Sequence, residues 1–239
     1  MPVVAATFLV ALVLAAVHVF GIRLRFLDSI PRSRWLSAAG GVSVAYVFVH
    51  LLPELGAHQG RLEEELDGGL LGLIESHAYL MALGGLVLFY GLERLAKQAR
   101  RRRTGEAEVF RLHLAAFALY NVLIGYLLLN REETGPETLF FYAVAMILHF
   151  VVNDRGLDAD HGQDYRRLGR WVLAVAVLGG WALGQAIEIS DVAIAVLFAL
   201  LAGGVVLNVL KEELPEERES RFGAFLAGSA AYAALLLTL

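Results

Sequence analysis

The sequence is dominated by long apolar stretches that recur from one end of the chain to the other. Hydrophobic residues make up 58% of its 239 residues and charged residues only 18%, whereas soluble domains are about half apolar and a quarter charged. A bilayer core of ~30 Å needs ~20 apolar residues per helix. The sequence therefore predicts an all-α polytopic membrane protein forming one transmembrane domain over residues 1–239. Its eight helices, α1 to α8 in chain order, are predicted near 3–22, 35–53, 70–92, 108–129, 138–153, 171–189, 191–210 and 221–239.

Basic residues are concentrated in alternate connections between these stretches. Eighteen of the twenty Lys and Arg residues fall in four of them, Arg23–Arg34, Arg94–Arg111, Arg155–Arg170 and Lys211–Arg221. Loops rich in Lys and Arg stay in the cytoplasm. The pattern predicts a multi-pass protein of the cell membrane with both termini outside. The run Arg100–Arg103 is better explained as a topology anchor than as a nucleic-acid patch, and we expect no nucleic-acid partner.

The chain contains no cysteine. Disulfide frameworks, thiolate metal sites and cysteine nucleophiles are thereby excluded.

Two similar segments occur in helices predicted to run in opposite directions. In α2, Ala39-Gly40-Gly41 precedes Leu52-Pro53-Glu54, and in α7, Ala202-Gly203-Gly204 precedes Leu214-Pro215-Glu216. Inverted repeats of this kind build alternating-access transporters. The alternative is coincidence, because small-residue helix contacts and Pro-Glu helix ends are both common.

Polar residues in the membrane interior need a partner or a function. His149 and Asn153 of α5 are four residues apart and share a helix face. With Asn121 of α4, they would offer one nitrogen and two amide oxygens to a divalent cation. The alternative is that they only join helices by hydrogen bonds.

Other polar residues carry weaker signals. His18 is alone on α1 and is expected to be a packing residue. His161, with the nearby Asp158, Asp160 and Asp164, is expected to lie in a hydrated loop rather than to bind a metal.

The segments ending in Leu52-Pro53-Glu54 and Leu214-Pro215-Glu216 resemble those of the ZIP (Zrt/Irt-like) family of divalent-metal transporters. That family has eight helices with both termini outside, so the resemblance covers the whole chain and implies a 3+2+3 arrangement with an inverted repeat. The metal site departs from the family pattern. The α4 signature His-Asn-x-x-(Asp/Glu)-Gly meets Tyr120-Asn121-Val122-Leu123-Ile124-Gly125, and the α5 signature His-Glu-x-Pro-(His/Glu) meets His149-Phe150-Val151-Val152-Asn153.

The resemblance implies a transporter, not an enzyme, that moves a divalent cation such as zinc and has no other cofactor. Its candidate metal ligands are His149, Asn153 and Asn121, with Asp154 passing the ion inward. The implied pathway residues are His50 and Glu54 on the outer side, and Glu212 and Glu213 on the inner side. Its expected partners are the lipid bilayer and the metal cation, and a homodimer is left open.

Two other functions remain as alternatives. The chain could keep the ZIP fold with a changed substrate or with no transport, as a structural or sensory protein. An intramembrane metallohydrolase is less favoured, because the sequence contains neither His-x-x-x-His nor His-Glu-x-x-His.

Overall fold

The computed structural model describes residues 2–23, 34–65, 77–102, 105–130, 135–213 and 221–237. Within these ranges the regular structure is entirely helical. Eight helical segments follow one another, and we number them as in the sequence analysis. They are α1 (Pro2–Phe20, extended by a 3-10 turn at Gly21–Arg23), α2 (Arg34–Tyr46, a π-helical turn at Val47–Leu51, then Leu52–Glu65), α3 (Ala78–Arg102), α4 (Glu106–Leu127), α5 (Pro136–His161), α6 (a π-helical turn at Tyr165–Gly169, then Arg170–Ala186), α7 (Asp191–Glu213) and α8 (Phe222–Leu236).

Seven of these helices, α1 to α7, are long and apolar enough to cross a membrane. The helix α8 is apolar but has only 15 residues in the described part of the chain, which corresponds to ~22 Å. The all-helical class and the membrane character predicted from the sequence are confirmed. The chain has the helices of a polytopic membrane protein.

Several helices continue beyond the apolar stretches that predict them. The helix α5 ends at His161 rather than near 153, and α3 ends at Arg102 rather than near 92. The expectation that His161 lies in a loop is therefore wrong, since this residue is the last of a helix. Apolar length reports how much of a helix lies in lipid, whereas backbone hydrogen bonds let the helix continue into water.

The chain divides into two compact units. Unit 1 comprises residues 1–33 and 92–188, and so contains α1, α4, α5, α6 and the end of α3. Within it, α4 packs against α6, and α1 packs against both α5 and α6. Unit 2 comprises residues 34–91 and 189–239, with α2, most of α3, α7 and α8. Within unit 2, α2 packs against α8 and α7.

Paired glycines bring helix backbones together inside unit 2. A methyl group on Gly41 of α2 would overlap the carbonyl oxygen of Phe225 in α8, and one on Gly228 of α8 would overlap the carbonyl oxygen of Ala38. In this pair, the glycine of one helix thus faces the backbone carbonyl of the residue three positions before the glycine of the other helix.

The same reciprocal arrangement occurs at two further helix pairs. Gly203 of α7 and Gly85 of α3 are paired in this way in unit 2, and Gly125 of α4 and Gly180 of α6 are paired in unit 1. Close backbone approach at glycines is typical of helix packing in membranes, where lipid supplies no hydrophobic drive for helices to associate. The three contacts therefore allow helix backbones to approach closely in both units.

Candidate functional site

The most extensive buried polar cluster among the described residues centres on His18 of α1. Its Nδ1 atom lies 2.8 Å from Oδ1 and 3.1 Å from Oδ2 of Asp154, in α5. Its Nε2 atom lies 2.7 Å from Oδ1 of Asn121, in α4. The exposed fractions of His18, Asn121 and Asp154 are 0%, 0% and 1%. Three helices of unit 1 thus meet at one histidine, and we call these three residues the His18 cluster.

The orientation of the Asn121 amide follows from its other contact. Its Nδ2 group donates a hydrogen bond to the carbonyl of Phe117 at 2.8 Å, so its oxygen is the atom that faces His18. Both ring nitrogens of His18 therefore face oxygen acceptors. Nε2 then donates a hydrogen bond to Asn121, and one proton is shared between Nδ1 and the Asp154 carboxyl group.

Two further buried polar side chains lie in this part of unit 1. The Tyr165 side chain is fully buried and interacts with Asp154 both electrostatically and through its hydroxyl. The Nδ2 group of Asn153, the residue before Asp154 in α5, is buried and makes no hydrogen bond of good geometry.

The other buried histidine of this region has a different partner. Nε2 of His149 lies 2.9 Å from the hydroxyl of Tyr120, and both residues are buried. The Phe150 ring, which stacks on His18 at 4.3 Å between centroids, follows His149 in the chain. All the predicted ligands are buried in unit 1, namely His149, Asn153, Asn121 and Asp154. They do not share one partner, however, because Asn121 and Asp154 contact His18, whereas His149 contacts Tyr120.

His18 is buried and hydrogen-bonded at both ring nitrogens, as a satisfied packing residue is expected to be, but its partners are not ones that the sequence predicts. Its apolar neighbours in α1 give no sign of a partner, and the residues that bind it lie 103 and 136 positions away. One signal was available in the sequence. Asp154 is an acid close to the apolar part of α5, and an acid at such depth requires a partner of opposite charge.

The predicted outer pathway residues lie in unit 2. Nε2 of His50 lies 3.6 Å from Oε2 of Glu54, and the two side chains are 29% and 25% exposed. His50 is part of the π-helical turn Val47–Leu51, a local widening that often accompanies functional sites. Of the inner pathway residues, Glu212 and Glu213 end α7, but their side chains lie outside the described part of the structure, as does Pro215.

The His18 cluster offers an unusual donor set for a metal. Among the described residues, no three His, Cys, Asp or Glu side chains lie close enough to hold a metal ion. An ion at Asp154 would have one imidazole, one carboxylate and amide oxygens as ligands. Such a set suits a weakly held cation of borderline character better than a permanent structural metal.

Comparison of the sequence with protein-family models and with curated proteins finds no match. Function is therefore inferred from the residues and their geometry.

Proposed function

We propose that this protein is a membrane transporter of a divalent metal cation, with the His18 cluster as the point at which the ion is held inside unit 1. The observation that carries the proposal is the ionisable pair His18 and Asp154, buried to 0% and 1% exposure in helices apolar enough to cross a membrane. Ionisable groups at such depth are costly, and they typically mark ion or proton pathways.

The chemistry of the cluster favours a cation over an anion or a neutral solute. Asp154 supplies the negative charge and Asn121 an amide oxygen, while His18 supplies a nitrogen ligand once it is neutral. Since a divalent ion competes for the same atoms that now bond to one another, its entry replaces the His18–Asp154 hydrogen bond. A single carboxylate compensates only half of the ion's charge, which predicts weak binding suited to transport.

The ZIP-like plan is part of the same proposal, and the glycine contacts support it. Gly41 of α2 makes the same kind of contact as Gly203 of α7, which lies 162 residues later. Gly228 of α8 likewise makes the same kind of contact as Gly85 of α3, which lies 143 residues earlier. An inverted repeat relating α1–α3 to α6–α8 pairs α2 with α7 and α3 with α8. Equivalent helix pairs are then expected to pack through equivalent residues.

The same shift of 162 positions relates Pro53 to Pro215 in the two Leu-Pro-Glu segments. By contrast, the Ala-Gly-Gly segments align with a shift of 163 positions, from Gly41 to Gly204. We propose that the glycine contacts and the prolines define the correct register of the repeat. In that register the two Ala-Gly-Gly segments are offset from each other by one residue.

We further propose that the protein lies in the cell membrane with its four basic connections in the cytoplasm and both termini outside. The distribution of Lys and Arg supports this orientation. The homodimer stays a prediction.

A structural or sensory role is the second candidate, and one observation favours it. The hydrogen bonds of His18 join α1, α4 and α5 in a continuous chain, and a chain of this kind stabilises a helix bundle without any substrate. In that case the cluster would contribute only to folding.

Zinc uptake into proteoliposomes tests the proposal. The full chain, reconstituted around a zinc-sensitive fluorophore, is expected to admit external zinc faster than protein-free vesicles. Asp154→Asn and His18→Gln are expected to reduce uptake at least about tenfold, because each removes or reorients a ligand. His149→Gln, at a buried histidine outside the cluster, is the matched control and is expected to retain most of the uptake.

The outcomes separate the candidates once each variant is shown to be folded by its melting temperature. Loss of uptake in His149→Gln, with uptake retained in His18→Gln, would place the ion at His149, the histidine that the sequence predicts as a ligand. Folded wild-type protein that moves neither zinc nor cobalt would contradict the proposal and leave the structural role.

A further inference from the structure

One aromatic side chain lies against the His18 cluster from the start of α6. Tyr165 is fully buried, and its hydroxyl group interacts with the Asp154 carboxyl group. It also interacts electrostatically with Asp158, which follows Asp154 by about one turn of α5. The hydroxyl group of Tyr165 therefore lies on the side of Asp154 that is nearer the end of α5.

The backbone at the start of α6 is shaped to hold this ring. Tyr165–Gly169 is a π-helical turn, a local widening that often accompanies functional sites. A methyl group on Gly169 would come within 2.5 Å of Cδ2 and 3.1 Å of Cε2 of Tyr165. The ring can therefore occupy its buried position only because residue 169 has no side chain.

An ion pair fastens the same turn to α5. The Oδ1 and Oδ2 atoms of Asp158 accept hydrogen bonds of 2.6 and 2.8 Å from Nε and Nη2 of Arg166, the residue after Tyr165. The side chains of Arg166 and Asp158 are 61% and 20% exposed, so the pair lies at the surface of unit 1. Bidentate pairs of this kind fix geometry as well as adding energy. Breaking the pair would release the turn that carries Tyr165.

The chain is anchored on both sides of the turn. Nδ1 of His113, in α4, lies 2.9 Å from Nε2 of His161, the last residue of α5. After the turn, Nη1 of Arg170 donates a hydrogen bond of 3.3 Å to the carbonyl of Val19 in α1. A rearrangement confined to the turn would therefore move Tyr165 while leaving α5 and α6 in place.

We propose that Tyr165 is the inner gate of the His18 cluster. The ion pair between Arg166 and Asp158 is the latch that keeps the gate closed. The inference rests on the proposed function, because it gives the ion held in the cluster its way out. Tyr165 belongs to the connection Arg155–Arg170, one of the four basic connections that we propose to lie in the cytoplasm. The ion leaves unit 1 on that side only after the ring has moved away.

The hydroxyl group links the gate to ion binding. An oxygen of Asp154 that accepts a hydrogen bond from Tyr165 is one that a cation would otherwise bind. A cation that enters the cluster therefore competes with Tyr165 and weakens the contact that holds the gate closed. Because the ion interacts differently with the closed and the open state, its binding shifts the equilibrium towards the open one.

The reactivity of an introduced thiol measures how often the gate opens. The chain has no cysteine of its own. Gly21 is buried, and Gly21→Cys places a thiol beside Asp154, because an added Cβ would lie 3.9 Å from Oδ2. In lipid nanodiscs without metal, this thiol is expected to react slowly with a small charged methanethiosulfonate reagent. Adding Gly169→Ala, which displaces the ring without removing it, is expected to raise the rate at least about tenfold, since a minor open state is populated at only ~0.1–10%.

A second variant and two matched controls make the result specific. Gly179→Ala is the same change elsewhere in α6, where nothing lies within 4 Å of the added carbon, and is expected to leave the rate unchanged. Arg166→Gln breaks the latch and leaves the ring intact, so it is expected to raise the rate as Gly169→Ala does. Its control is Arg111→Gln, which breaks an exposed ion pair with Glu108 in α4 and is expected to have no effect.

Zinc uptake by the cysteine-free chain connects the gate to transport. Because the opening of a lid is often the slowest step of a cycle, Gly169→Ala is expected to raise zinc uptake into proteoliposomes at least about threefold. Gly179→Ala is expected to take up zinc at the wild-type rate.

Failure of this inference differs from failure of the proposed function. Zinc uptake by the wild type, with a thiol reactivity or an uptake rate that Gly169→Ala does not raise, would overturn the gate alone. A response to Gly169→Ala but not to Arg166→Gln would overturn the latch. Greater thiol reactivity in both variants of a protein that moves neither zinc nor cobalt would leave Tyr165 as a cover of the cluster, and would overturn both its role as a gate and the transport proposal.

Discussion

The pair formed by His18 and Asp154 allows the sharpest test of the structure. Both side chains are buried, and Nδ1 lies 2.8 Å from Oδ1. A hydrogen bond to a carboxylate contributes about 1.5–3 kcal/mol to stability. Part of this contribution offsets the cost of removing both groups from water. A single substitution therefore measures the free-energy cost of leaving one of the two groups buried without its partner.

The variant His18→Leu is expected to lower the free energy of unfolding by about 3–5 kcal/mol, because Asp154 would remain buried without a counter-ion. Asp154→Leu is expected to cost less, about 1–3 kcal/mol, since it leaves an imidazole that keeps its hydrogen bond to Asn121 rather than a buried carboxylate without a partner. Replacing both residues removes the unpaired charge. The double variant is therefore expected to be more stable than the sum of the two single losses predicts, by about 2 kcal/mol.

Reversible unfolding by SDS in mixed micelles, followed by far-ultraviolet circular dichroism, measures these four free energies. Thr7→Val combined with Asp154→Leu is the matched control, because Thr7 is also fully buried on α1 but lies ~16 Å along the helix from His18. That control pair is expected to be additive within about 0.5 kcal/mol. Equal additivity for His18→Leu and Asp154→Leu would refute the pairing described here.

Two further predictions concern topology and packing. Single cysteines introduced at Gly60 and Gly105 are expected to react with a membrane-impermeant reagent from opposite sides of the membrane, because the two polar segments that follow and precede the apolar spans there differ in basic charge. Labelling of both in intact cells would contradict the orientation. Gly125→Val is expected to lower the free energy of unfolding by about 1–3 kcal/mol, since its side chain would enter the backbone of α6. Gly179→Val, where nothing lies within 4 Å of the added carbon, is the control, and equal stability of the two variants in the SDS assay would show that the glycine contact is not tight.

The candidate site was only partly predictable from the sequence. Asn121, His149, Asn153 and Asp154 were recognised because each is polar within or beside an apolar helix, and all four are buried. Their pairing was not recognised. Spacing along one helix says which residues share a face, but not which face of a neighbouring helix meets it.

The sequence by itself determined the helical class and the membrane character, because both depend on the length and polarity of continuous segments. A run of about 20 apolar residues is stable only as a helix in lipid, whatever its neighbours are. Only the tertiary structure decided that His18 is the centre of the buried cluster, that His113 meets His161, and that glycines bring three pairs of helices together. These contacts join residues 48 to 190 positions apart, and they depend on how helix faces pack, which local sequence does not specify.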